Sequence, residues 1–137
     1  MAKINKTGRS KGGGRYVQLH EYIARSYAWS RLPPLAKCAW LEIGFIYNGS
    51  NNGKLGVSSR ALGEALGVTH PAAAKAIRDL IQWGFLEQRK SSSFSQKRLA
   101  AEYQLTHLRC DVTGEQPTKR FMKIGETNIV PIRSAAE

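Results

Sequence analysis

His70, Lys75, Arg78 and Gln82 fall at a spacing that puts them on one side of a helix, opposite the apolar residues of the same stretch. Their chemistry is hydrogen-bond donation. Lys75 and Arg78 can donate to guanine edges or to phosphate oxygens, and Thr69 together with the helix N-terminus can hold a phosphate. Ala72 and Ala74 on the same stretch offer no hydrogen bond, only apolar contact such as a thymine methyl would accept, so a nucleic-acid partner would be read there mainly by its shape. A second cationic group, Arg89, Lys90, Lys97 and Arg98, flanks the Ser-rich stretch 91–96 and suits a minor groove. Charged residues of that kind also protect exposed strand edges, and both readings stand at this stage. Ser58 and Ser59, at the start of the preceding helix, complete the expected contact set.

The elements that must carry these side chains lie between Val57 and Leu86. Ser58 can cap a short helix with Ala61, Leu62, Ala65 and Leu66 on one face, and Gly67 supplies the left-handed residue that ends it. Val68 plugs the corner. Thr69 or His70 caps a second helix, with Pro71 in its first turn and Ala73, Ala76, Ile77, Leu80 and Ile81 at helical spacing; Gly84 ends it. Gly63 costs about 1 kcal/mol against Ala inside a helix, yet it stands where two helices crossing at a wide angle need a small residue. The pattern is that of a helix-turn-helix.

The run Leu62-Gly63-Glu64-Ala65-Leu66-Gly67-Val68-Thr69 resembles the bacterial helix-turn-helix family, and Trp83-Gly84-Phe85-Leu86, followed by a polar loop and a second alternating run, resembles its winged version. Ala72 and Ala73 depart from the hydroxyl and β-branched residues common at the start of the family's second helix. The segments Tyr47 to Gly53, Phe94 to Lys97 and Ala101 to Thr106 are similar to small winged-helix proteins of α-proteobacterial phages, plasmids and integrative elements. That resemblance implies a DNA-binding protein of a mobile element, either a transcriptional regulator or an architectural excision factor that bends DNA. Its partners would be double-stranded DNA and a recombinase or replication protein. A winged-helix protein-interaction module accessory to replication is the alternative.

The expected fold is α+β, mainly α: a three-helix core with a β-hairpin wing and an extra N-terminal helix. That extra helix spans Tyr16 to Trp29, with Leu19, Tyr22, Ile23 and Tyr27 on its apolar side. Its aromatic residues either pack on the domain's own core or, with Phe94, form a surface for self-association on DNA. The first core helix opens at Pro33-Pro34 and runs to about Tyr47, with Leu35, Cys38, Ala39, Ile43 and Ile46 expected inside. Lys54 to Val57 reads as a short edge strand, and Phe85 to Lys90 and Leu99 to Thr106 as the wing strands. In the last of these Leu99, Ala101, Tyr103 and Leu105 should be buried, and Ala100, Glu102, Gln104 and Thr106 wet. Asp111 to Gly114 reads as a turn and Thr118 to Met122 as a short apolar anchor.

The chain has 137 residues, enough for one domain. We divide it into a basic arm at 1–15, a domain at 16–125 and a loose tail at 126–137. Twenty-one Lys and Arg against ten Asp and Glu give a formal charge of +11, which points to an extended polyanion as partner. No long apolar run or basic amphipathic helix suggests a membrane. Met1 to Lys6 carries charge without the apolar stretch of an export signal, so a cytoplasmic protein is expected. Cys38 and Cys110 suit packing better than a disulfide.

Gly49 to Leu55 is a residue short of a nucleotide phosphate loop and has Leu55 where a hydroxyl would be needed. His107 and Cys110 have no second pair at zinc spacing, and no Ser or Cys has an activating partner, so no metal, cofactor or enzymatic activity is expected.

Overall fold

The computed structural model describes residues 14–90 and 100–125. Among them the chain is α+β. Its helices are α1 (Glu21–Ala24), α2 (Tyr27–Arg31), α3 (Pro34–Ile46), α4 (Ser59–Leu66), α5 (His70–Gln82) and α6 (Arg120–Lys123). The strands β1 (Leu55–Val57), β2 (Leu86–Lys90) and β3 (Ala101–Leu105) form an antiparallel sheet in the order β1-β3-β2. The long expected helices and the three strands therefore form, with ends shifted by a residue or two. No helix among the described residues is long and apolar enough to cross a membrane.

The N-terminal segment departs from expectation. Instead of one helix from Tyr16 to Trp29, the described residues have no helix before Glu21 and then make two short helices. Ser26 breaks the run: its Oγ accepts from Trp29 N at 3.2 Å and donates to Ile23 O at 2.7 Å, so it caps α2 and closes α1. Serine offers the backbone these local bonds in place of a continuing helix. Arg15 is likewise no part of a free arm. Its guanidinium donates to Phe45 O (2.7 Å) and Tyr47 O (2.8 Å), satisfying carbonyls left over at the end of α3. The segment then lies over Gly44, where an added Cβ would stand 2.9 Å from a Val17 methyl.

The buried face of α3 is Ala36, Ala39, Trp40 and Ile43; Cys38 and Ile46, expected inside, are exposed. Trp40 accounts for the rotation, since burying its ring turns the helix so that 36, 39, 40 and 43 face inward. The ring meets Trp29 edge-on at 5.4 Å, Trp29 meets Phe85 at 5.6 Å, and Phe85 stacks on Phe121 of α6 at 4.7 Å. Tyr22 continues the series on Phe121 at 6.2 Å, and Tyr27 meets Trp83 at 6.4 Å. Trp29 and Tyr27 thus pack on the domain's own core, Tyr22 packs with one face while staying partly exposed, and Tyr16 is exposed.

On β3, Ala101, Tyr103 and Leu105 are buried as the alternation requires, but Gln104 and Thr106 are buried too. The second face of the strand is covered because the chain comes back over it. Lys119 N donates to Thr106 O (2.8 Å), Thr106 Oγ1 donates to Gly84 O (2.7 Å), and Thr118 and Arg120 reach Glu87, the residue opposite Gln104.

Asn52 joins the loop after α3 to the end of β3. Fully buried, its amide donates to Leu105 O (3.0 Å), Leu108 O (3.3 Å) and Arg109 O (2.8 Å), and its Oδ1 accepts from Leu105 N (2.7 Å). Its own N–H donates to Asp111 Oδ2 at 2.8 Å. Gly53 follows at φ 104°, completing the turn. Asn52→Ala leaves several buried backbone groups without partners, each costing about 1–3 kcal/mol, so urea unfolding should show a loss of at least about 3 kcal/mol. Asn51→Ala, which removes two bonds in the half-buried part of the loop, to Asn48 N and Ile46 O, should cost less than Asn52→Ala.

His107 follows β3, its ring 5.3 Å from Trp40. Burial, reinforced by His20 and Lys119, lowers its pKa to about 4. The unfolded chain, with a histidine near pKa 6.5, takes up a proton that the folded chain refuses between these values. Stability should therefore be level above pH 6.5 on this account and fall by roughly 2–3 kcal/mol as pH drops toward 4. His107→Gln should flatten that part of the urea-midpoint profile.

Candidate nucleic-acid interface

The geometry of α4 and α5 follows from their caps. Ser58 Oγ accepts from Ala61 N at 3.1 Å to start α4. Gly67, at φ 71°, ends it: Gly67 N donates to Glu64 O and Val68 N to Gly63 O. Thr69 Oγ1 then accepts from Ala72 N at 3.3 Å, starting α5 with Pro71 in its first turn. A Cβ on Gly63 would stand 2.9 Å from Val68 O and 3.3 Å from Thr69 O, so the turn backbone rests directly against α4. Leu62, Ala73, Ala76, Ile77 and Leu80 are buried beneath the pair.

This packing leaves His70, Lys75, Arg78 and Gln82 exposed on α5, with Ala72 and Ala74 half-buried. Ser58 is exposed and Ser59 half-buried at the start of α4, and Thr69 is exposed at the turn. The expected residues of α5 therefore share an outer surface with a capped helix start, whose unpaired N–H groups favour an anion. Their charges are unequal. Lys75 Nζ donates to Asp79 Oδ2 at 2.9 Å, whereas Arg78 forms no ion pair among the described residues. The sequence reading overlooked Asp79, although its i,i+4 spacing from Lys75 signals the pair. Arg60, outside the expected contact set, is exposed in the first turn of α4 beside Ser58 and Ser59.

On β2, Arg89 and Lys90 are both exposed. Gln88 pairs with Tyr103 and Lys90 with Glu102, so Arg89 is the extra residue of a β-bulge. A bulge bends a strand and re-aims the side chain it carries, and period-2 alternation gave no sign of it. Lys97, Arg98 and Phe94, with the rest of the expected wing turn, lie outside the described residues, as do residues 1–13 and the tail from 126. Among the described residues no group of three or more His, Cys, Asp or Glu could hold a metal ion.

Comparison of the chain with protein-family models, curated proteins and solved structures finds no match in any of the three.

The close contact at Gly63 can be tested directly. Gly63→Ala gains about 1 kcal/mol in helix propensity, but its methyl meets backbone oxygens that cannot rotate away. The variant should be net destabilised by about 1–3 kcal/mol in urea unfolding, the usual range for overpacking. Ala61→Gly, on the exposed side of α4, should lose only the propensity term of about 1 kcal/mol.

Proposed function

We propose that the protein binds double-stranded DNA, with α4 and α5 as the helix-turn-helix of a winged-helix domain and β2 and β3 as the stem of its wing. The observation that carries the reading is the α4–α5 pair itself: two capped helices whose connecting turn rests on Gly63, presenting the α5 start and an uncompensated Arg78 outward. A formal charge of +11 supplies the general attraction to a polyphosphate. Arg78 is the strongest candidate for a base edge or a phosphate, Arg60 and Ser58 for the backbone beside α4, and Arg89 and Lys90 for the wing contact.

Half-buried Ala72 and Ala74 near the α5 start leave few side chains for direct base reading. The protein therefore relies on phosphate contacts and DNA shape, as an architectural factor does. Together with the sequence resemblance, this favours a DNA-bending excision factor of a mobile element, with a small transcriptional regulator as the neighbouring reading. The packing of Tyr22 on Phe121 and of Tyr27 on Trp83 favours this reading over a protein-docking N-terminal segment, whose remaining support is the exposure of Tyr16, Leu19 and the outer part of Tyr22.

Affinity for duplex DNA should fall steeply with salt, with a log–log slope near −5 if about six phosphates are contacted; a flat response overturns the reading. Arg78→Ala should weaken binding by about 1–3 kcal/mol in fluorescence anisotropy while the fold persists. Asp79→Asn should act in the opposite direction, tightening binding because it frees Lys75 and removes a negative charge from the face. If both variants bind as the wild type does, α5 is not the DNA-contacting element.

A further inference from the structure

A second set of cations, on α2, α3 and α6, is held in a different way from those of α5. Lys119 Nζ lies 4.9 Å from the centre of the Tyr22 ring, Arg31 Cζ 5.2 Å from that of Tyr27, and Lys37 Nζ 5.8 Å from that of Trp29. Lys123 is exposed in α6. Among the described residues none of these four forms an ion pair, although Arg25 just after α1 and Arg120 on α6 do, with Glu21 and Glu87. A ring face fixes the position of a cation without cancelling its charge, which a carboxylate would do. The rings are joined by packing, because Tyr22 stacks on Phe121, Phe121 on Phe85, and Phe85 meets the buried Trp29, while Tyr27 meets Trp83 and closes on Gly125 and α2 packs on α6.

Lys119 adds an independent observation. At φ 47° and ψ 45° it is the one non-glycine residue with positive φ among the described residues. The backbone there is held by Lys119 N donating to Thr106 O at 2.8 Å and by Met122 N donating to Lys119 O at 2.9 Å. Glycine or asparagine would take this conformation with less strain. A lysine kept at such a place points to a use for its side chain, which is the ammonium over Tyr22.

The surface lies away from the candidate interface. Phe121 N donates to Gly84 O at 3.1 Å, which anchors α6 just beyond the C-terminal end of α5. From that point α5 runs about 20 Å to its capped start, and β2 about 16 Å to Lys90. We propose that Arg31, Lys37, Lys119 and Lys123 bind the phosphate backbone of a second DNA duplex, so that one molecule holds two duplex segments together. The inference rests on DNA binding through α5. Lysine and arginine heads spread over aromatic rings suit evenly spaced phosphates, which require charge and position but no base-reading geometry.

The test is capture of a labelled duplex by the full-length protein already bound to an immobilised duplex, at about 50 mM salt. Arg31→Gln/Lys37→Gln/Lys119→Gly/Lys123→Gln should keep its affinity for the first duplex within about threefold and capture the second at least about tenfold less well. Lys119→Gly alone should lower capture while leaving the melting temperature unchanged or raised, since glycine relieves the backbone strain. Capture equal to the wild type by the fourfold variant overturns the proposal, as does wild-type protein that binds the first duplex and captures no second. Arg78→Ala separates the two readings: it should weaken binding to the immobilised duplex itself, which the fourfold variant should leave nearly unchanged. A wild-type protein that binds no duplex at all overturns both.

Discussion

The turn at Gly84 is the constraint on which the arrangement depends. Its φ of 82° lets Gly84 N reach Ile81 O and Phe85 N reach Leu80 O, which ends α5 and sends the chain into β2. Its carbonyl then takes two further bonds, from Thr106 Oγ1 after β3 and from Phe121 N in α6. A Cβ there would stand 2.6 Å from Phe121 N, so the returning segment lies against bare backbone. One residue thereby sets the exit of the helix, the base of the sheet and the seat of the C-terminal anchor. The stacked pair Phe85 and Phe121, on either side of the crossing, supplies the apolar burial that holds it closed.

Two ways of holding a cation coexist in this small chain. On α5 a carboxylate one turn away holds Lys75 and offsets its charge, while Arg78 has no such partner among the described residues. Around α2 and α6 the aromatic residues do the fixing and the charge survives. A formal charge of +11 is consequently not a uniform coat but an uneven field, weaker over Lys75 than its residue count suggests.

Legibility in the sequence followed the range of the interactions. The caps Ser58 and Thr69, the glycine ends at 67 and 84 and the small residue at 63 were all readable, because each answers to neighbours within a few positions. The errors had distant causes. Burial of Thr106 and Gln104 needs residues 118–121, and the exposure of Cys38 follows from where the ring of Trp40 goes. The N-terminal helix failed for a local reason that composition hides: Ser26 suits the start of a helix better than its middle, and the apolar spacing around it fits either outcome. At the candidate interface, exposure of Lys75 and Arg78 was legible, while the bulge at Arg89 was not, because one extra residue in a strand depends on the register of its partner.

Asn52-Gly53 also bears on how the molecule ages. An asparagine followed by glycine is the dipeptide most open to loss of ammonia through attack of the next backbone nitrogen on the side-chain amide. In the folded chain that amide is enclosed and committed to Leu105, Leu108 and Arg109. The reaction is therefore confined to moments when the loop opens. Its product, an aspartate or isoaspartate, carries no donor for three waiting carbonyls and brings a negative charge into a buried site. A chain that has aged in this way while open cannot close again as before, so at this site each opening of the loop carries a chance of permanent retirement.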